Sequence, residues 1–281
     1  MQQDLIYDVG MNNGDDSAYY LSKGYRVVAV EADPVLVEQA TQRFSSEIAA
    51  GRITILNVAI AEAEDVRPFW ISPTMRIWNS FDRNTAGREG REAIAIDVPC
   101  RRFCSILDEH GTPYYLKADI EGWDVCCIHD LKKEDLPRFA SVEWVDVHSL
   151  LALSQAGYNS FKVVDQRRFE PVAYDPFALT PWQYLQRRCR DRKYLSKLLR
   201  LPGRVRRKLM PSPSARTSGP PKYAPDSSGP FGEEIGGPWL SMDEALFSMM
   251  AIELAYTDSG PKRLGNWFDI HATCSRAGGA C

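Results

Sequence analysis

The seven cysteines of this 281-residue chain, Cys100, Cys104, Cys126, Cys127, Cys189, Cys274 and Cys281, contain no Cys-x-x-Cys pair and no zinc-ribbon spacing. Their number is odd, which argues against a disulfide framework and for free thiols acting as small hydrophobes. A reducing, cytoplasmic setting is expected. No basic and apolar leader precedes the first strand pattern, and no uninterrupted apolar run nears the roughly 20 residues of a membrane span. Secretion and membrane insertion are therefore not expected. Charge of one sign is not in excess either: Lys and Arg number 34 against 37 Asp and Glu, and a formal net charge of −3 provides no general nucleic-acid surface. Histidine is scarce at four, so few side chains have an ordinary pKa suited to proton transfer at neutral pH. No internal repeat is evident. The 44% hydrophobic content suffices for one substantial core, and two full domains would be tight.

What is present is concentrated between Asp4 and Pro34. An apolar strand, Leu5 to Val9, runs into a glycine loop from Gly10 to Gly14, and a helix pattern follows through Tyr19, Tyr20 and Leu21 until Gly24 ends it. A second apolar strand, Val27 to Val30, finishes on Glu31, 21 residues beyond Gly10. One βαβ unit needs about that distance to bring an acid beside a ribose held over the first loop. The loop spacing then selects the cofactor. A dinucleotide fingerprint needs a second glycine where Asn12 stands, so the backbone cannot close on a pyrophosphate as it does there. Asp8-Val9-Gly10-Met11-Asn12-Asn13-Gly14 suits S-adenosylmethionine, which has no phosphates and carries cationic groups that an acid can face. Asp8, Gly10, Met11, Asn12, Asn13, Gly14 and Ser17 are the expected contacts of the loop, with Glu31 and Ala32 at the ribose. Asn57, Val58, Ala59 and Ile60 sit at the carboxyl end of the third strand, where the adenosylmethionine-binding proteins that this pattern resembles usually form the adenine pocket.

The segments DVGMNNG, VVAVEADP, NVAIAE, LKADIEG, SVEW and GYNSFKVVDQ resemble the FkbM-type methyltransferase family, a branch of the class I adenosylmethionine-dependent enzymes. The resemblance runs over about residues 4 to 170. It implies O-methylation of hydroxyl groups, mostly on sugars of glycans, glycolipids or secondary metabolites, with S-adenosylhomocysteine as product. Two other readings compete. One is a non-catalytic binding protein that keeps the nucleoside fold. The other is a nucleic-acid methyltransferase, which usually carries an Asn-Pro-Pro-Tyr-type loop where this chain has Asp119-Ile120-Glu121-Gly122.

Further along, a helix is expected over Pro34 to Ile48 and a strand over Ile53 to Val58. Residues 66 to 110 read as less regular, with a possible strand at Ala93 to Val98 and an active-site loop at Thr74 to Gly90. Strands at Tyr114 to Ile120, Ser141 to Val147 and Ser160 to Asp165 alternate with helices at Trp123 to Leu131 and Leu150 to Gly157. That alternation predicts an α/β, Rossmann-like, doubly wound and mostly parallel sheet with helices on both faces, plus a helical and linker C-terminal appendage. The expected division is a cofactor-binding domain over 1–180, a basic helix and Pro/Ser/Gly-rich linker over 181–230, and a segment 231–281 that packs back as a lid or acceptor-site wall. Gln183 to Met210 holds eleven Arg or Lys against the single acid Asp191. It reads as a solvated helix on the catalytic domain, or as a contact for an anionic glycolipid, a membrane surface or, less naturally, nucleic acid.

Methyl transfer to a hydroxyl needs a base near the methyl group, beyond the carboxyl ends of the strands. Asp119 and Glu121 are two apart at a strand end and project to the same side. With His148 they are the candidate catalytic residues, and Asp119 also borders the cofactor. Glu143, on the next strand, joins them as a possible ligand of a divalent cation that would acidify the hydroxyl; dispersed acids lack a diagnostic spacing, and a route without metal is preferred. Trp239, Asp269 and His271 are candidate acceptor contacts, because aromatic faces stack on sugars while polar groups take the hydroxyls.

Overall fold

The computed structural model describes residues 1–166, 168–172, 223, 227–255 and 267–274. The basic stretch Gln183 to Met210 lies outside the described residues, as does most of the linker after it. In chain order the first half comprises β1 (Gln2–Val9), α1 (Asp15–Ser22), β2 (Arg26–Val30), α2 (Pro34–Arg43), α3 (Ser45–Ala49), β3 (Ile53–Leu56), β4 (Ala59–Ile60), β5 (Val66–Ile71), α4 (Arg83–Ala86) and β6 (Ile94–Arg101). Then come α5 (Phe103–His110), β7 (Pro113–Ala118), α6 (Asp124–His129), β8 (Phe139–Glu143), α7 (Val147–Ala156), β9 (Ser160–Asp165) and β10 (Glu170–Pro171). The described C-terminal elements are α8 (Met242–Ala255) and β11 (Phe268–Thr273).

Eight strands form one sheet in the order β10-β9-β11-β8-β7-β1-β2-β3. The pairs β1–β2, β2–β3, β1–β7 and β7–β8 are parallel. Strands covered on both faces read as near-continuous apolar runs: Leu5 to Val9, interrupted only by Asp8, are all buried, as are Val27 to Val30. Asp33 starts α2 by accepting from Val35 N, with Pro34 at the first helical position, where its missing N–H costs nothing. One core packs the sheet against α5, α6, α7 and α8 through Phe103, Ile128, Leu150 and Met249. A second lies on the opposite face with Tyr20, Ala40 and Phe44. The architecture is thus doubly wound.

The expected helix over Pro34 to Ile48 is two helices, broken at Phe44, whose buried ring turns into the second core. Residues 66 to 110 are more regular than expected. There β5 and β6 pair antiparallel, and with β4 they form a small separate sheet. A larger correction concerns the C-terminal segment. Phe268–Thr273 packs back not as a lid but within the sheet, as a strand inserted between β8 and β9, antiparallel to both. Its alternation is strict: Phe268, Ile270 and Ala272 enter the core beside α7 and α8, while Asp269, His271 and Thr273 face the other side.

A polar row results across five strands, since Asp8 partners Lys117, Lys117 partners Ser141, Ser141 partners His271 and His271 partners Lys162. Residues 227–240 cover this face. Asp16 accepts from Ser227 Oγ at 2.5 Å and Ser228 N at 3.1 Å, Phe231 stacks on Tyr115 with centroids 4.1 Å apart, and Lys162 Nζ donates to the Ile235 carbonyl at 2.6 Å.

Candidate functional site

The chain leaves β1 through Gly10, whose N–H, like that of Met11, donates to the Val30 carbonyl at 3.0 Å. Gly10 has φ +82°, and a Cβ there would stand 1.9 Å from the Asp119 carbonyl oxygen. Only glycine lets the two strand ends approach this closely. Beneath the loop, Lys117 Nζ donates to the Gly10 carbonyl at 2.9 Å and lies 3.2 Å from Asp8 and 3.7 Å from Asp16. Burial works against the lysine's charge, but Asp8, Asp119 and Asp16 outweigh it and hold Lys117 protonated. Ser17 completes this layer by donating to Asp8 Oδ2 at 2.6 Å.

Glu31 closes the other side of the loop. Its carboxylate accepts from Asn12 N at 2.8 Å and Asp33 N at 2.9 Å, and burial pushes its pKa up to about 7 against those bonds. A carboxylate offers about four lone-pair positions, so two remain for a ligand. The Asn57 amide donates to the carbonyls of Glu31 and Ala32 and thereby fixes the end of β2.

These elements border a cavity of about 960 Å³. Gly10 to Asn13, Glu31, Ala32 and Val58 to Ile60 line one part of it. Asp119, Glu121 and Glu143 contribute acids from the ends of β7 and β8, and Trp123, Trp144, Trp267 and Phe268 contribute aromatic wall. Arg76, Trp78, Asn79, Phe81 and Arg88 reach in from the segment between β5 and β6. Glu121 holds φ +54°, rare for a residue with a side chain, and its Oε2 lies 2.5 Å from Arg88 Nη2. Arg76 is likewise ion-paired, to the buried Asp33. Behind Asp119, Asp124 caps the Ile120 N–H at 2.7 Å. Burial, with Asp119 next to it, pushes Asp124 up to about 7.

The structure therefore brings together on one wall Gly10, Met11, Asn12, Asn13, Glu31, Ala32, Val58, Ala59, Asp119 and Glu121. Asp8, Gly14, Ser17 and Asn57 stand behind that wall and shape it. Other candidates lie elsewhere. His148 is exposed in the first turn of α7, its N–H capped by Asp146, and does not border the cavity. Trp239 stacks on Phe139 at 6.0 Å with Lys162 Nζ 4.3 Å from its ring, far from an acceptor role. Asp269 and His271 are buried because the alternation of β11 turns them under the sheet. Burial, with Asp119 and Glu143 beside it, raises the Asp269 pKa well above the carboxylate range, and burial near Lys162 lowers His271 to about 3. Neither ring nitrogen of His271 has a partner among the described residues. Trp267 and Phe268, by contrast, do border the cavity.

Among the described residues no group of three or more His, Cys, Asp or Glu is arranged to hold a metal ion, and no helix is long and apolar enough to cross a membrane.

A family model described as Methyltransferase FkbM domain matches residues 8–159. Among curated proteins, a probable ribosomal RNA small subunit methyltransferase A of Methanospirillum hungatei JF-1 is 38% identical over 52 residues, 18% of this chain and 20% of that protein. Among solved structures, a methyltransferase FkbM from Methylobacillus flagellatus KT aligns with a TM-score of 0.36 and 18% identity, over 54% of this chain and 36% of that one. A Haemonchus contortus phosphoethanolamine N-methyltransferase 2, in complex with S-adenosyl-L-methionine, aligns with a TM-score of 0.36 and 10% identity, over 98% of this chain and 49% of that one. The chain thus spans less than half the length of each of these three.

Proposed function

The chain belongs to the FkbM methyltransferase family, and from that premise we propose that it uses S-adenosylmethionine to methylate a hydroxyl of a sugar in a glycan, glycolipid or secondary metabolite. The observation that carries this reading is one cavity of about 960 Å³ whose wall holds Gly10 to Asn13 and Glu31 together with Asp119 and Glu121. That volume is at the upper end of ordinary ligand pockets, enough for a nucleoside donor and an acceptor side by side.

When bound, adenosylmethionine supplies the methyl group that passes from sulfonium sulfur to acceptor oxygen in an in-line displacement. The residues supply the rest. The two open lone-pair positions of Glu31 accept the ribose hydroxyls, and Val58, Ala59 and Ile60 offer the adenine an apolar slot. Met11 to Asn13 present backbone to the amino-acid end. Asp119, on the cavity wall at the end of β7, takes the proton of the acceptor hydroxyl in this reading. Glu121 is held by Arg88 and orients rather than deprotonates. Trp123, Trp144 and Trp267 suit the C–H faces of a sugar. The basic stretch Gln183 to Met210 would draw an anionic or membrane-held acceptor to a cytoplasmic enzyme.

Two substitutions test the reading. Glu31→Ala leaves the ribose hydroxyls without their charged acceptor and should weaken S-adenosylhomocysteine binding by about 1.5–3 kcal/mol in calorimetry; unchanged affinity would remove the ribose assignment. Asp119→Asn should keep the fold and the cofactor affinity while cutting turnover by roughly 10²–10⁴. Full turnover on the acceptor found by mass-spectrometric search for added CH2 in surface glycans and glycolipids would move the base elsewhere.

A further inference from the structure

We propose that the acceptor carries an anionic substituent, a carboxylate or a phosphate on the saccharide, seated in a second cavity lined by Arg83, Arg88 and Arg91. The proposal deepens the methyl-transfer reading and rests on it. This second cavity, about 620 Å³, opens along the segment between α4 and β6 and shares Arg88 and Glu89 with the main cavity. The two cavities are therefore neighbours.

The two cavities differ in charge. The main one is rich in acids, with Asp16, Glu31, Asp119, Glu121 and Glu143 on its wall, and would repel an anion. The annexe sets three guanidinium groups against Glu89 and Glu92, and because Arg88 is already paired with Glu121, Arg83 and Arg91 are the two cations offered to an anion. Arg83 has no ion pair among the described residues and lies over the Trp70 ring at 5.1 Å from its centroid. Arg91 finds its nearest carboxylate, Glu89, only at 3.6 Å, and its Nε is buried with no hydrogen-bond partner. Glu89 is 70% exposed and Arg91 33%, so the acid spends its charge in solvent while the guanidinium keeps its own near the cavity.

The backbone organises the cluster. Glu89 takes a left-handed φ of +60°, and this turn lets Arg88 and Arg91 meet over the same Trp78 ring, at 5.7 and 5.3 Å from its centroid. Guanidinium groups fixed on aromatic faces retain their in-plane N–H donors, and carboxylate and phosphate oxygens match that fork. An anion anchored there would set which hydroxyl of the sugar faces Asp119, converting charge recognition into regiochemistry.

The test uses the full chain loaded with S-adenosylhomocysteine and titrated calorimetrically with glucuronic acid, glucose 6-phosphate and uncharged glucose. At least one anionic sugar should bind roughly tenfold or more tightly than glucose, and which one does so distinguishes carboxylate from phosphate. Arg83→Gln with Arg91→Gln should erase that preference while leaving S-adenosylhomocysteine affinity unchanged; Arg83→Gln alone, at an exposed position, should reduce it and guards against misfolding of the double variant. Equal binding of all three sugars, no binding of either anionic sugar, or a preference that survives both variants would overturn the subsite. Those results leave methyl transfer standing. Failure of the wild-type chain to bind S-adenosylhomocysteine would instead strike the reading on which the subsite rests.

Discussion

Glu31 sits in the middle of its own titration at neutral pH, because burial has pushed it up to about 7 while two backbone N–H groups still favour its charged form. Asp33 nearby disfavours the charge, and Lys117 favours it. Ribose hydroxyls donate, so they bind the carboxylate and not the acid. Cofactor affinity should therefore be full above pH 7 and fall as the pH drops below it, by at most about tenfold per unit for a single proton. Calorimetry with S-adenosylhomocysteine between pH 5.5 and 8.5 checks this, and Glu31→Gln should flatten the profile at the weaker level. A wild-type profile without slope would show that Glu31 is not the ribose acceptor. At this scale the sequence spoke clearly where chemistry sits at a strand end, as with Gly10, Glu31 and Asp119. It pointed to Thr74 to Gly90 as an active-site loop, which does line the cavity, but without periodicity it could not single out Arg76 or Arg88 there, nor the ion pair that occupies Glu121. His148 misled because a strand-end histidine and one at the start of an exposed helix share the same sequence context.

Among the elements, β11 decides most. Ile270 is fully buried among core residues that include Phe161 and Val163. Ile270→Ala should cost about 2–5 kcal/mol in urea unfolding, the cost of a cavity in a packed interior. A surface lid would show no more than about 0.5 kcal/mol. The parallel strand β2 was legible because burial on both faces leaves an unbroken apolar run, and β1 and β7 because only one polar residue each, Asp8 and Lys117, interrupts theirs. In β11 the polar positions Asp269 and His271 break that run, and they are polar because their neighbours in the sheet, Glu143, Ser141 and Lys162, are polar too. Such a row exists only after the strands have been placed side by side. The break between α2 and α3 at Phe44 was hidden for a similar reason, since the apolar spacing continues through it.

For the whole molecule, the contacts of Ser227 and Ser228 with Asp16, and of Tyr223 with Tyr19, tie the C-terminal part to the cofactor domain. Replacing residues 183–222 by a short Gly-Ser linker should leave S-adenosylhomocysteine affinity within about twofold, whereas activity on an anionic or membrane-held acceptor should fall, and added salt should narrow that difference because it screens long-range attraction. Loss of cofactor binding in that variant would place the basic stretch in the core. The insertion of β11 also has a consequence for synthesis. β8 pairs with β7 on one side, yet its other edge and the facing edge of β9 are joined only by a strand that lies more than a hundred residues beyond β9. At ordinary translation rates the nascent chain waits roughly 5–20 s with those strand edges unpaired. Open edges invite pairing with other chains. Yield of soluble protein should therefore depend on chaperone supply during translation more than on the stability of the finished fold.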